Sequence, residues 1–459
     1  MLPDVALLRI FDFYLDKALI EAWQTLVHVC RNWRNVVLGS PRRLNLQLIC
    51  RARTPVREKL DLWPLLPIFL PINSFNTWNI DNIDNIITAL EHKDRIGGLY
   101  ISEIPSSGRE DLWAALQQPF PALTFLFFES YVETPVSFLG GSAPALQKLI
   151  MRRAPFLGLP KLLMSAIHLH YLSLDRIPHS AYISPEAMAT CLSVLTKLEY
   201  LHIGFESPRS RPDRRPPPQT RIHLPVLTLL GFDGVAEYLE DLVASIDAPL
   251  LDKLTITFFH QLIFDTPRLT QFINRTQKFK AHCDARVRFT CWDVTVALPP
   301  SFDVVIELGI VKESNEGTSS MVQLVQLYNS SFLPALIPAV EHLYFIENAY
   351  SYRLPSLQEN HLWLELFHLF PAVKDLYISS EFMSHIASAL QELVEERVTE
   401  VLPTLQNLFL EEFLRKPAHE AIGRKIEQFV SAKQLASRPI VVSRWERKRK
   451  GRSDEFHYN

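Results

Sequence analysis

Along most of the chain one short pattern recurs. An aliphatic residue is followed by two variable positions, a leucine, one variable position and a second apolar residue. It stands at Ile96/Leu99/Ile101, Leu123/Leu126/Phe128, Leu146/Leu149/Met151, Leu169/Leu172/Leu174, Leu198/Leu201/Ile203, Leu227/Leu230/Phe232 and Leu251/Leu254/Ile256. It returns at Val340/Leu343/Phe345, Val373/Leu376/Ile378 and Leu405/Leu408/Leu410. Apolar residues two apart over so short a run predict a strand with one buried face. Helical spacing fits between the strands at 110–118, 185–195, 237–246 and 382–398.

Successive units lie 23 to 33 residues apart outside one long gap. Such periods mark a leucine-rich-repeat array. One unit cannot bury its own apolar face, so neighbours must stack. The expected fold is α/β, an irregular leucine-rich-repeat-like solenoid of short parallel strands alternating with helices over residues 96–415. It is irregular because the asparagine that usually follows each strand is absent from almost every unit. The gap from 256 to 340 holds strand patterns at 286–291, 294–298 and 304–310, read as degenerate repeats. Leucines of the pattern are core. Function belongs to outward strand positions, with Phe127, Arg152, Tyr171, His202, Phe259 and Tyr377 as candidates.

The first fifty residues differ. Pro3 and Asp4 suit a helix start. Val5, Leu8, Phe11 and Leu15 follow at helical spacing, with Leu7, Ile10 and Tyr14 on an adjoining row. A second amphipathic run holds Trp23, Leu26, Val27, Cys30, Arg34 and Val37, and Gly39 and Pro41 end it. Two short helices carry more apolar face than a small local core covers. The surplus reads either as a cap on the array or as a dock for a partner.

Leu2-Pro3-Asp4-Val5-Ala6-Leu7-Leu8-Arg9-Ile10-Phe11 and Val29-Cys30-Arg31-Asn32-Trp33-Arg34 resemble an F-box. Where that family carries glutamate after Leu-Pro-x, this chain has Val5, and Ala6 follows. The resemblance implies a small helical domain over residues 1–50 that binds a Skp-type adaptor and, through it, a cullin ubiquitin ligase. It places Leu2, Pro3, Leu7, Leu8, Ile10, Phe11, Val29, Cys30 and Trp33 at adaptor-binding positions. Phe120-Pro121-Ala122-Leu123, Tyr238 to Val243, Ala248 to Leu251 and Trp445-Glu446-Arg447 are similar to F-box-like proteins of mushroom-forming fungi.

Residues 51–95 read as a helical connector. Ile83, Ile86, Ile87 and Leu90 predict a helix over 81–92, and the proline-broken run 62–72 fits a buried strand. Arg42, Arg43, Arg51, Arg53 and Arg57 form a basic strip, read as a solvated face. Residues 206–223 hold five prolines and five arginines and read as an exposed loop. Residues 416–459 read as a capping helix over 420–435 and a basic tail, Arg444 to Arg452, with the composition of an import signal.

Composition narrows the function classes. Net charge is −3, so nothing global points to nucleic acid. Five widely spaced cysteines form no zinc or disulfide pattern. No apolar run is long enough to cross a bilayer. A cytoplasmic or nuclear place is expected. No nucleotide, hydrolase or metalloprotease motif stands at a usable position. His282-Cys283-Asp284 lacks zinc-ligand spacing. No catalysis, cofactor or metal is therefore expected. The expected function is a substrate receptor of an SCF-type ligase with an unidentified target protein. The alternative is a ligase-independent interaction scaffold.

Overall fold

The structure is a computed structural model. It describes residues 3–17, 22–39, 46–50, 56–63, 65–73, 80–102, 109–208, 220–259, 266–279, 284–289, 293–298, 306–311, 340–347, 360–393, 396–411 and 418–445. The chain divides into two compact units, Met1–Ser207 with Ile222–Leu227, and Pro208–Arg221 with Thr228–Asn459.

The first unit opens with three helices, α1 (Asp4–Lys17), α2 (Ala22–Val29) and α3 (Arg31–Leu38). The second amphipathic run of the sequence is therefore two helices, not one. The break is at Cys30, whose backbone is extended (φ −160°, ψ 170°) and whose Sγ accepts from the Trp33 N–H at 3.5 Å. An extended residue with an accepting side chain is an N-cap, and it starts α3 afresh.

Parallel strands follow. They are β1 (Leu46–Gln47), β2 (Ile68–Asn73), β3 (Ile96–Ser102), β4 (Phe125–Glu129), β5 (Lys148–Arg152), β6 (Tyr171–Ile177) and β7 (Tyr200–Phe205), paired in that order. Helices α4 (Val56–Leu62), α5 (Ile80–Glu91), α6 (Arg109–Leu116), α7 (Leu159–Ser165) and α8 (Pro185–Leu192) lie between them in sequence. Two strands thus precede residue 96: β1 lies at the end of the stretch read as the helical head, and β2 lies in the connector, where the run 62–72 was read as a buried strand. Register turns the sequence pattern into rows. Leu70, Leu99, Leu126, Leu149, Leu172 and Leu201 stand side by side, all 0% exposed. Ile72, Ile101, Phe128, Met151, Leu174 and Ile203 form a second buried row. This face turns to the helices: Phe128 meets Trp113 of α6 edge-on at 6.1 Å, and Phe138 at 4.9 Å.

The second unit is built from β8 (Leu229–Gly234), α9 (Ala236–Ser245), β9 (Lys253–Phe258), α10 (Pro267–Arg275), β10 (Asp284–Phe289), β11 (Asp293–Leu298) and β12 (Ile306–Val311). Then come β13 (His342–Glu347), α11 (Asn360–His368), β14 (Asp375–Ile378), α12 (Met383–Gln391), β15 (Asn407–Glu411), α13 (Ala418–Leu435) and β16 (Val441–Trp445). The strands of the long gap are β10 to β12. They sit in the same sheet as their neighbours, but not as a plain repeat: β12 pairs with β9, and β11 runs antiparallel between β12 and β10. The length of the link explains it, since only three residues separate Phe289 from Asp293. So short a link closes a hairpin, whereas a parallel return needs a dozen residues or more. The buried row survives the reversal, through Phe232, Ile256, Leu308, Val296, Val287, Phe345 and Ile378.

Two buried charges hold helices in this unit. Glu240 of α9, 4% exposed, accepts from the backbone N–H groups of Arg268 (3.0 Å) and Leu269 (2.7 Å). These are first-turn donors of α10, which have no partner within their own helix. Glu240→Ala orphans both, and is expected to lower the free energy of unfolding by about 2 kcal/mol. Urea unfolding of the full chain checks this.

Lys433 of α13 is 0% exposed. Its Nζ donates to the carbonyls of Val401 (3.2 Å) and Leu402 (3.0 Å). Burial, and then Arg438, push its pKa down to about 8. The unfolded chain keeps this proton to a pH near 10.5. Between the two values the unfolded state binds more protons, so this group's contribution to stability rises with pH there. Relative to Lys433→Met, the wild type is expected to gain unfolding free energy from pH 7 to 9. A gap that stays constant over that range contradicts the assignment.

The expected terminal cap is only partly met. α13 matches the helix read at 420–435, but β16 follows it and pairs with β15. Arg444 and Trp445 of the basic tail lie in that strand. Leu2, the core of the Pro/Arg-rich loop (209–219), His282, Cys283, Cys291 and the tail from 446 lie outside the described residues.

Candidate functional site

The head has a core of its own. Leu7, Phe11, Leu26, Val36 and Val37 are buried together, with Leu8, Val27 and Trp33 packed against them. The Trp33 ring meets Phe11 edge-on at 4.9 Å. Every member of this cluster comes from α1, α2 or α3. The adaptor-binding positions named from sequence thus divide. Leu7 (3% exposed) and Phe11 (2%) are interior, and Leu8 and Trp33 are half-buried. Pro3, Ile10 (47%), Val29 (55%) and Cys30 face solvent. Val5, where the F-box pattern has glutamate, is 70% exposed. Exposed valine and isoleucine beside a closed local core leave apolar surface that the head does not need for itself.

The strands carry a second kind of surface, on the face away from the helices. In the first unit, Phe125, Lys148, Tyr171 and Tyr200 share one outward row. Tyr171 and Tyr200 stack at 4.0 Å and 7°. The Lys148 ammonium lies 4.7 Å from the Tyr171 ring and 5.8 Å from that of Phe125. Burial lowers the Lys148 pKa. Phe69 extends the row: its ring lies over Gly98 and 5.7 Å from Phe125. A Cβ on Gly98 would stand 2.5 Å from the Phe69 ring, so glycine is what lets the ring lie there. On the next row Tyr100 and Phe127 stack at 4.3 Å and 8°. Beyond it Arg152 pairs with Asp175 at 2.9 Å and covers the Phe127 ring at 6.0 Å.

The second unit has its own stack. Tyr344, Tyr377 and Phe409 occupy one outward row on β13, β14 and β15, with centroids 4.2 and 4.4 Å apart and planes within 12°. Trp445 of β16 stands edge-on to Tyr377 at 5.5 Å, and Arg286 of β10 lies 5.7 Å from the Tyr344 ring. Beside this row, His342 Nδ1 lies 2.8 Å from Asp375 Oδ2, and the Asn407 amide donates to Asp375 Oδ1 at 2.7 Å. Burial first, and then nearby Tyr377 and Asp284, raise the Tyr344 pKa. Burial and Asp375 raise that of Tyr377. Both phenols therefore stay protonated at neutral pH.

Of the outward candidates named from sequence, Phe127, Arg152, Tyr171, His202 and Tyr377 lie on these rows. Phe259 does not. It follows the end of β9, its N–H bonds to the Gly234 carbonyl at 2.9 Å, and it is 9% exposed. Tyr100, Tyr200, Tyr344, Phe409 and Trp445 were not named, although each stands at the same alternating parity. Stacked rings in register make a flat, stiff surface edged with hydroxyls and cations. Such a surface suits recognition of another protein's side chains. Two buried thiols are held from reactivity: burial pushes Cys50 up to about 12 and Cys191 up to about 11.

No protein-family model matches this chain, and no curated protein matches it. Among solved structures it is similar to the leucine-rich repeat-containing protein LegL7 from Legionella pneumophila. The identity is 12%, the match covers 84% of this chain and 97% of that one, and the TM-score is 0.29. So loose a superposition leaves the fold to be read from the strand registers above. Among the described residues no helix is long and apolar enough to cross a membrane.

Proposed function

We propose that this chain is a substrate-receptor subunit of an SCF-type cullin ubiquitin ligase. The head docks to a Skp-type adaptor, and an outward strand face holds the target. The observation that carries this reading is the head's closed core beside exposed Val5, Ile10 and Val29. Three helices serving only as an end cap would spend that surface on the array. In this reading Leu7 and Phe11 shape the head, and Pro3, Ile10, Val29 and Cys30 meet the adaptor. The chain performs no chemistry. It raises the effective concentration of target lysines at the ligase.

Mixing the purified full chain with a Skp-type adaptor and a cullin tests this. Co-elution of all three as one complex on gel filtration is the expected result. Elution of the chain alone removes the ligase role. The outward aromatic rows favour a second reading, a ligase-independent scaffold. In that case target binding persists while adaptor binding is absent.

A further inference from the structure

One residue breaks the aromatic pattern on the outward face of the first unit. In the first outward row of β4 to β7, Lys148 interrupts the ring positions Phe125, Tyr171 and Tyr200. Its ammonium stands where a ring of the stack would, 4.7 Å from Tyr171 and 5.8 Å from Phe125. Among the described residues, the first two outward rows of β2 to β7 hold this lysine, His202 and no carboxylate. Phe125, Lys148, Tyr171 and Tyr200 are each half-buried and still reach solvent. They open their strands, and the segments that lead into those strands, 117–124, 142–147, 166–170 and 193–199, are all described.

Charge and shape choose the occupant. Burial works against the Lys148 charge and holds its pKa below the usual lysine value. An anion brought to the ammonium offsets that cost. The arginines beyond these rows are already matched, Arg152 by Asp175 at 2.9 Å and Arg153 by Glu129 at 3.2 Å. One ammonium balances a carboxylate but not a phosphate, which carries about two charges. The two flanks of Lys148 differ. On one side the Phe125 and Phe69 rings, 5.7 Å apart, offer only apolar surface. On the other, Tyr171 and Tyr200 add hydroxyls. An extended segment crossing the strands sets the side chains of one face roughly 7 Å apart. An acid on Lys148 therefore places the residues two before and two after it on these flanks.

We propose that this row binds a segment of the target protein that carries a carboxylate, held by Lys148, with an apolar side chain two positions away on Phe125 and Phe69. This rests on the reading that an outward strand face holds the target, and it is independent of what the head docks to.

The test uses the full chain and a labelled serine-rich peptide with phenylalanine, aspartate and glutamine at alternate positions, read by fluorescence anisotropy. Saturable binding is expected, weakened at least about tenfold when the aspartate becomes asparagine and not strengthened when it becomes phosphoserine. Lys148→Met keeps an unbranched side chain between the rings. It is expected to weaken the peptide at least about tenfold at an unchanged thermal midpoint, while Lys148→Arg stays within about threefold. Phe125→Thr keeps a good strand former. It is expected to weaken the phenylalanine peptide at least about fivefold, but a version with serine in that place by less than about twofold. Weaker binding in Phe125→Thr, with no change in Lys148→Met or with the asparagine peptide, overturns the carboxylate and leaves the outward face as the target surface. Equal affinity for the wild type and every variant overturns both. Absence of saturable binding, or tighter binding of the phosphoserine peptide, overturns the proposed partner chemistry.

Discussion

Phe128→Ala is expected to lower the unfolding free energy by about 3–5 kcal/mol, while Phe127→Ala, one residue away, costs about 2 kcal/mol. The two rings differ in what surrounds them. Phe128 is 0% exposed and is enclosed by Trp113 and Phe138, with Phe156 against Phe138 at 5.7 Å. Truncating it leaves a void among aromatic side chains that cannot all collapse, so a cavity cost adds to the lost transfer energy. Phe127 points to the other face, stacked on Tyr100. Its loss sacrifices the stack and some burial, but water fills the space. Urea unfolding of the two variants side by side reads the difference. Equal costs would mean that the two faces of β4 are not distinct.

The second large effect is on binding. Ile10→Glu combined with Val29→Gln is expected to weaken adaptor binding at least about a hundredfold, a loss of roughly 3 kcal/mol. Ile10 is 47% exposed and Val29 is 55% exposed, outside the cluster of Leu7, Phe11, Leu26, Val36 and Val37. Both replacements are good helix formers. Glutamine is chosen at Val29 because a carboxylate at the end of α2 would oppose the helix dipole. The unfolding midpoint is therefore expected to stay within the small range of surface substitutions. Leu7 and Phe11 make a poorer probe, because aspartate at either would break the head's core and remove binding by unfolding it.

How much of this was legible in the sequence depended on whether a residue's surroundings leave a periodic trace. The strands did. Leu-x-apolar repeated at Leu126, Leu149 and Leu172 because one face of each strand is buried and the other is not. The helix α11 left one as well: Leu362, Trp363, Leu364, Leu366 and Phe367 are all at most 4% exposed, while exposed His361, Glu365 and His368 recur at helical spacing. α10 did leave a trace, in Leu269, Phe272 and Ile273, that went unused. The reversal of β10 to β12 was implicit in the short link after Phe289, which allows a hairpin and not a crossover. The break at Cys30 left none, since the apolar spacing runs on through it. Outward residues were legible in kind but not in grouping. Tyr171 and Tyr377 stood out singly, whereas Tyr200 and Tyr344 joined them only once register set the rings side by side. Lys433 was legible in place but not in role: it stands four residues after Phe429 and seven after Ile426, on the apolar face of its helix, yet nothing in the sequence names the two carbonyls it meets.

The most direct test of the central claim is calorimetric titration of a Skp-type adaptor into the full chain and into the Ile10→Glu/Val29→Gln variant. The expected result is saturable binding to the wild type, lost at least about a hundredfold in the variant at an unchanged unfolding midpoint. Equal affinity for both chains, or no binding to either, contradicts it.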